Sequence, residues 1–281
     1  MPGKKRDEGA KRAKGEYLAF IDDDSAPRAD WLQNANNILL KDKKLVALGG
    51  PGVLPKNATF WERVFDQSLL NTLGGGGYTY RFQPQKERYV DDYPSMNLII
   101  NKKIFLKIGG FNNEYWPGED SKLGNILSEK EKKLIYYNPN LVVYHHRRDS
   151  IKGHLKQYQQ YGTMRGMFFV QGDKNSIRFQ YVVPSLLTMY LTLYILAFLL
   201  QLTKPYNTII FFLISLPFLT YVTMLLNVGF TSFIQSKRPK ESLAILYIVP
   251  LTHIVYGYFF ILGTIKETLK TPSNSSIKNK I

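Results

Sequence analysis

The chain contains no cysteine, which excludes disulfides and any zinc or iron–sulfur centre held by thiolates. Histidine is scarce, at four in 281 residues, so metal chemistry has to rest mainly on carboxylates. Acidic residues are themselves in deficit. Against 37 Lys and Arg stand 22 Asp and Glu, a formal net charge of +15, and an excess of that size calls for an anionic partner. No glycine-rich loop runs into a Lys-Ser or Lys-Thr pair, which disfavours a P-loop phosphotransferase. Residues 1–14 are charged and lack the apolar centre of a signal peptide.

What the early part lacks, the late part has. Three stretches, at about 181–202, 206–228 and 243–265, contain no Asp, Glu, Lys or Arg. At about 1.5 Å per residue each is long enough to cross a hydrocarbon core of about 30 Å. Pro184, Pro217 and Pro250 fall inside them, which membrane bundles tolerate. His253 is expected to be a neutral, hydrogen-bonded bundle residue. With membrane segments present, lipid head groups and an anionic substrate account for the basic charge better than nucleic acid does. Lys237, Arg238 and Lys240 mark the second loop as cytoplasmic by charge bias. Two spans separate that loop from the soluble part, which is then expected on the cytoplasmic side; the basic tail argues the other way.

The soluble part turns on one stretch. Residues 17–21 are apolar and β-compatible, and they run straight into Asp22, Asp23 and Asp24. Three carboxylates at a strand end repel one another, and a hard divalent ion such as Mg²⁺ or Mn²⁺ relieves the repulsion through oxygen ligands. Strand ends are also where open α/β sheets hold ligands. The plainer alternative is a solvated loop in which one Asp caps the helix that follows.

Around it, residues 3–16 read as a basic helix, mostly solvated, ending near Gly15. Helical spacing recurs at 31–40 and 59–73. Residues 45–49 read as a strand, and Gly74-Gly75-Gly76-Gly77 as a flexible loop. Residues 94–101 predict a strand and 102–108 a short helix. Glu119 and Asp120 open a further helical pattern, where acids favour the dipole and where a carboxylate can serve as general base. Strands follow at 133–137 and 141–144, the second ending in His145-His146-Arg147-Arg148, a set able to bind metal or phosphate. Residues 151–170 predict an amphipathic helix suited to a membrane surface.

Taken in order, these pieces resemble the family 2 glycosyltransferases of GT-A fold over about residues 3–170. The matching pieces are Gly9-Ala10, Ala13-Lys14-Gly15-Glu16, Phe20-Ile21-Asp22-Asp23-Asp24, Asn97, Gly109-Gly110-Phe111, Gly118-Glu119-Asp120, His145-His146-Arg147-Arg148 and Tyr161-Gly162 with Arg165-Gly166. The resemblance implies an α/β, Rossmann-like domain at 1–170 and a bundle of three transmembrane helices at 171–281. It implies inverting transfer of a sugar from a nucleotide-diphosphate donor to a hydroxyl of a glycan or lipid-linked acceptor. It assigns Asp120 as base, and Asp22, Asp24 and His145 (His146 as fallback) as ligands of a divalent ion. It assigns Asp22, Asp23, Asn97, Glu119 and Arg165 to substrate binding. Three positions depart from the family pattern: Ser95 stands where Gly is usual, Ile126 where Arg is frequent, and no strand with a base-reading acid precedes residue 17. The expectation is therefore a partial GT-A domain whose first nucleotide-binding unit lies upstream or comes from another chain. A catalytically impaired membrane scaffold is the alternative.

Overall fold

The computed structural model describes residues 2–111, 115–203 and 208–270; the start of the second expected span and the basic tail from 271 lie outside them. The described elements are α1 (Pro2–Arg12), β1 (Tyr17–Ile21), β2 (Ser25–Pro27), α2 (Trp31–Lys41), β3 (Ala47–Gly49), β4 (Gly52–Val53), α3 (Phe60–Leu69), α4 (Thr72–Gly75), a 3₁₀ turn (Gly76–Arg81), β5 (Arg88–Val90), β6 (Asn97–Asn101), α5 (Lys102–Lys107), α6 (Glu119–Glu129), β7 (Ile135–Tyr137), β8 (Val143–His145), α7 (Ile151–Gln171), α8 (Phe179–Thr203), α9 (Thr208–Ser236) and α10 (Pro239–Thr268).

Five strands form a mixed sheet in the order β1-β6-β3-β7-β5, and β2-β8-β4 form a smaller one. Side chains alternate across the larger sheet. Leu18, Phe20, Ala47, Leu98 and Ile100 point to one face, where Ala10, Phe105, Phe111, Leu123 and Leu127 cover them. Leu48 and Ile99 point to the other and meet Trp31 and Ala35 of α2. Burial of both faces makes the central strands read as continuous apolar runs. β1 is an edge strand, paired only with β6 among the described residues. Beside it runs a cavity of about 300 Å³ lined by Arg6, Gly9 and Ala10 of α1, by Ala13 just after it and by residues of β1.

Two expectations need correction. α1 stops at Arg12 and does not run to Gly15. The Lys102 ammonium donates to the carbonyl of Ala13 at 2.5 Å and so takes over the work of a C-cap. The glycine run is not a flexible loop: Gly74 and Gly75 close α4, and the 3₁₀ turn starts at Gly76. A Cβ on Gly75 would stand 2.0 Å from the Leu69 carbonyl oxygen, so the glycines let this turn press onto the end of α3.

The three apolar helices are long enough to cross a membrane. α8 and α9 each bury 11% of their most apolar stretch within the molecule, whereas α10 buries 44%. The difference comes from α7, which runs parallel to α10. His154 bonds Thr252 at 2.9 Å and Gln171 bonds Glu267 at 2.7 Å at the two ends. Between them the backbones nearly touch, because Cβ atoms on Gly162 and Gly166 would lie 2.5 Å and 2.1 Å from the carbonyl oxygens of Tyr256 and Phe260. Small residues permit such close helix approach. α7 thus carries a packing face on α10 in addition to the polar face expected of a surface helix. His253 is hydrogen-bonded to Tyr221 and to the Leu73 carbonyl, in keeping with a structural role.

This packing gives a testable consequence. Gly166→Val should lower the thermal midpoint of the detergent-solubilised protein by the equivalent of about 1–3 kcal/mol. Gly9→Ala, whose Cβ meets nothing within 4 Å, should leave it unchanged or slightly raised. Equal midpoints for Gly166→Val and wild type would refute the tight α7–α10 contact.

Candidate active site

The acidic run sits where the chain leaves the large sheet for the small one. β1 ends at Ile21, opposite Asn97. A turn closed by Ser25 N–H donating to the Asp22 carbonyl (3.1 Å) carries Asp22, Asp23 and Asp24 round the corner. β2 then pairs with β8 so that Ser25 faces His145. This register brings Asp24 to the strand end that ends in His145: His145 Nε2 lies 3.4 Å from Asp24 Oδ1. One ligand atom each from Asp22, Asp24 and His145 lie within 4.8 Å of one another. Two hard oxygens and one imidazole nitrogen suit Mn²⁺ well and Mg²⁺ acceptably. The hydrogen bond from His145 holds the Asp24 carboxyl below its ordinary range, more than offsetting its partial burial.

Glu119 and Asp120 arrive from the other side. Gly118 has φ +130°, and a Cβ there would lie 2.9 Å from the Phe168 ring, so glycine is needed to start α6 at this point. Both acids lie in the first turn of α6, favoured by the positive end of the dipole. Asp120 Oδ2 accepts from the backbone N–H of Ser95 at 3.0 Å, while its buried Oδ1 has no partner. Burial, reinforced by the charge of Glu119, pushes the Asp120 carboxyl up to about 7 despite the Ser95 hydrogen bond. A carboxyl so poised can exchange a proton near neutrality.

Arg6 joins the two halves. Its guanidinium donates to Asp22 Oδ1 at 2.6 Å and to Glu119 Oε1 at 3.2 Å, and it lies over the Phe111 ring at 5.5 Å. The sequence reads as a largely solvated helix here and gives Arg6 no distinct role. One signal was available: at helical spacing Arg6 shares the face of Gly3, Ala10 and Ala13, the face that packs inward.

The other expected site residues separate into two groups. Asp23, in the same turn, is exposed and is not among the three residues whose ligand atoms converge. Asn97 is 1% exposed and fully committed: it accepts from Trp31 Nε1 and donates to the carbonyls of Gly50 and Leu141. It ties the first turn of α2 to two loops beneath the site, and both of its N–H groups are used in doing so. Arg165 is likewise turned away. Its guanidinium binds Asp92 at 2.6 Å, Ser176 at 2.8 Å and the Asn175 carbonyl, and it lies over Tyr181. His146 pairs with the buried Glu62 and Arg147 with Asp66, so of the His-His-Arg-Arg run His145 faces the acidic turn.

The family model for glycosyl transferase family 2 matches residues 1–109. A dolichyl N-acetyl-α-D-glucosaminyl phosphate 3-β-D-2,3-diacetamido-2,3-dideoxy-β-D-glucuronosyltransferase of Methanococcus voltae is 25% identical over 172 residues, 60% of this chain and 52% of that protein. The chain thus spans about half the length of this relative. Its N-terminal α/β part is similar to family 2 glycosyltransferases over residues 1–109, and three helices long enough to cross a membrane follow it.

The raised Asp120 pKa has a stability consequence of definite sign. The folded state keeps a proton that the unfolded chain releases near its ordinary value of 3.8, so stability is lost as pH rises from about 4 through about 7. In chelator, Asp120→Asn should therefore unfold at a higher temperature than wild type at pH 8, with the gap closing towards pH 4. A gap independent of pH would show that Asp120 is not held protonated by its surroundings.

Proposed function

We propose that the chain is a membrane-bound inverting glycosyltransferase that moves a sugar from a nucleotide-diphosphate donor to a hydroxyl of a lipid-linked glycan, in the synthesis of a glycolipid or cell-envelope polysaccharide. The observation that carries this reading is the juxtaposition, through one guanidinium, of an oxygen-rich metal-ligand trio and a buried carboxyl poised near neutrality. The relative acts, by its name, on a dolichyl-linked sugar phosphate, and the apolar helices beside the domain suit an acceptor of that kind.

In this reading Asp22, Asp24 and His145 hold Mg²⁺ or Mn²⁺, which when bound supplies positive charge for the departing diphosphate. Asp120 accepts the proton of the acceptor hydroxyl at its free Oδ1 as that oxygen attacks the anomeric carbon. Ser95 N–H fixes the other oxygen and so aims the base. Attack from the Asp120 side with departure on the metal side inverts the configuration at that carbon. Glu119, tethered by Arg6, lies beside the base where it can bind an acceptor hydroxyl. Asp23, exposed in the same turn, is assigned to the donor in this reading. The catalytic part faces the cytoplasm, where nucleotide sugars are made.

A second reading is favoured by the free edge of β1 and the cavity beside it. Such an edge accepts a further strand, and a chain whose partner binds there would serve as a scaffold or as half of a split enzyme.

The test is transfer by the full chain in detergent, with Mn²⁺, nucleotide sugars and a polyprenyl-linked sugar acceptor. Asp120→Asn should lower kcat by about 10²–10⁴-fold, and kcat/KM of wild type should rise as pH passes through about 7. Chelation or Asp24→Ala should abolish transfer. Equal rates for Asp120→Asn and wild type would reject the base, and calorimetry showing no metal-dependent nucleoside-diphosphate binding would favour the scaffold.

A further inference from the structure

The three long apolar helices present themselves differently. α8 exposes apolar side chains all round, as Leu193, Ile195, Leu196 and Phe198 show, and α9 does the same. That is the surface of a helix surrounded by lipid. On α10 the exposed residues Leu243, Tyr247, Ile254, Tyr258, Leu262 and Ile265 recur at steps of three, four or seven and form a single stripe. The opposite side of α10, with Ile245, Val249, Thr252, Tyr256 and Phe260, is buried.

The soluble part covers that buried side from end to end. Near the start of α10, Arg63 of α3 binds Glu241 at 3.1 Å. Halfway along, His253 donates to the Leu73 carbonyl of α4 at 3.0 Å, and Thr252 meets His154 of α7. Near the end, Gln171 of α7 binds Glu267. α3 and α7 belong to one body, since the Phe65 and His154 rings stack at 4.0 Å. From Glu241 to Glu267 the helix runs about 39 Å at about 1.5 Å per residue, which exceeds a hydrocarbon core of about 30 Å. A helix that crossed the bilayer would hold its ends on opposite sides, and a body touching both ends would have to lie in the bilayer with it. The charges of that body forbid this. Lys152 and Lys156, on either side of His154, are exposed at the level of the α10 midpoint, and the bilayer centre is where an ammonium group costs most.

We propose that α10 does not cross the bilayer but lies in its surface on the side of the soluble part, with the Leu243–Ile265 stripe docked on phospholipid and the α8–α9 hairpin as the crossing element. The partner of the stripe is a lipid surface because its neighbours already enter one: a Cβ on Gly257 would stand 2.3 Å from the Pro184 carbonyl of α8, and one on Gly229 of α9 would meet Leu246 at 2.6 Å. Tyr247 and Tyr258 suit the level of the head groups. Charge supplies a second, independent observation. Lys237, Arg238 and Lys240 stand at the start of α10, and Lys266, Lys270, Lys278 and Lys280 at or beyond its end. Three crossings would put these two clusters on opposite sides of the membrane. Two crossings put both on the side of the soluble part, and residues 204–207 on the other side carry Lys204 alone. The basic loop and the basic tail then obey one rule, and both clusters can meet anionic head groups. This placement is independent of the reaction the chain performs.

Because the chain has no cysteine, single cysteines can carry a nitroxide at chosen depths. Leu243→Cys, Ile254→Cys and Ile265→Cys lie eleven residues apart on the exposed stripe. The full chain is reconstituted in phosphatidylcholine–phosphatidylglycerol vesicles, and label depth is read from collisions with oxygen and with a water-soluble nickel chelate. All three labels should sit at one shallow depth, about 5–10 Å into the bilayer, while Leu196→Cys on α8 should sit in the hydrocarbon. Ile254→Cys deeper than both others by about 16 Å is the signature of a crossing helix and overturns the proposal. Three labels in water overturn the lipid partner and leave the stripe to a second copy or another protein. A shallow Leu196→Cys overturns the crossing hairpin. A maleimide that cannot pass the membrane should label Lys240→Cys and Leu269→Cys from the same face of sealed vesicles, and labelling from opposite faces overturns the two-crossing arrangement. None of these readouts depends on sugar transfer, so the placement of α10 and the glycosyltransferase reading stand or fall separately.

Discussion

Four carboxylates from two distant parts of the chain meet in one cleft: Asp22 and Asp24 after β1, and Glu119 and Asp120 at the head of α6. Their mutual repulsion is the constraint to which the surrounding structure answers. Arg6 lies between Asp22 and Glu119, His145 against Asp24, and the positive end of α6 under Glu119 and Asp120. The compensation is incomplete at one place. Asp120 keeps an unpartnered oxygen and a carboxyl held near neutrality by burial. Stability is given up there, and a reactive group is what the protein has in return.

The cleft is also tied to the apolar helices. Asp92, 2% exposed, takes Arg165 of α7, the Arg81 guanidinium and the Ser121 hydroxyl at once. Ser121 follows Asp120 in α6, so a single buried acid links α6 to the helix that lies along α10. Asp91 repeats the connection by pairing with Arg178 just before α8. A buried charge shared among several partners is costly to disturb, so α6 is held in a fixed relation to α7 and to the start of α8. The same network fixes Asp120, at the head of α6, relative to the apolar helices.

Much of this was legible in the sequence. The strand at Tyr17–Ile21, the helix opening at Glu119 and the three apolar helices carry strong local signals, period by period, and the acidic turn stood out by charge alone. Other features were not legible, because long-range partners decide them. Nothing local distinguishes an Asn97 that ties α2 to two loops from one that binds a sugar. The glycines at 74–77 carry a turn signal in any context, and only the nearness of the Leu69 carbonyl makes them a tight helical corner. Arg6 looked like any cation on a basic helix until Phe111 and Glu119 came to lie beside it.

The arginines show why motif position alone cannot assign chemistry. Arg147 and Arg148 are neighbours in one run, and Arg165 lies on the helix that the same run leads into. Beyond the end of β8, Arg147 is held by Asp66, whereas Arg148 lies exposed over the first turn of α7. Arg165 lies one turn beyond Tyr161 on the same stripe of α7, and its guanidinium is held by Asp92, Ser176 and the Asn175 carbonyl. Burial then separates their roles: a guanidinium already desolvated and paired has little left to offer a ligand, whereas one still solvated keeps its donors for an incoming anion. The three cations are equivalent as residue types, and what differs among them is which oxygen the fold has placed within reach.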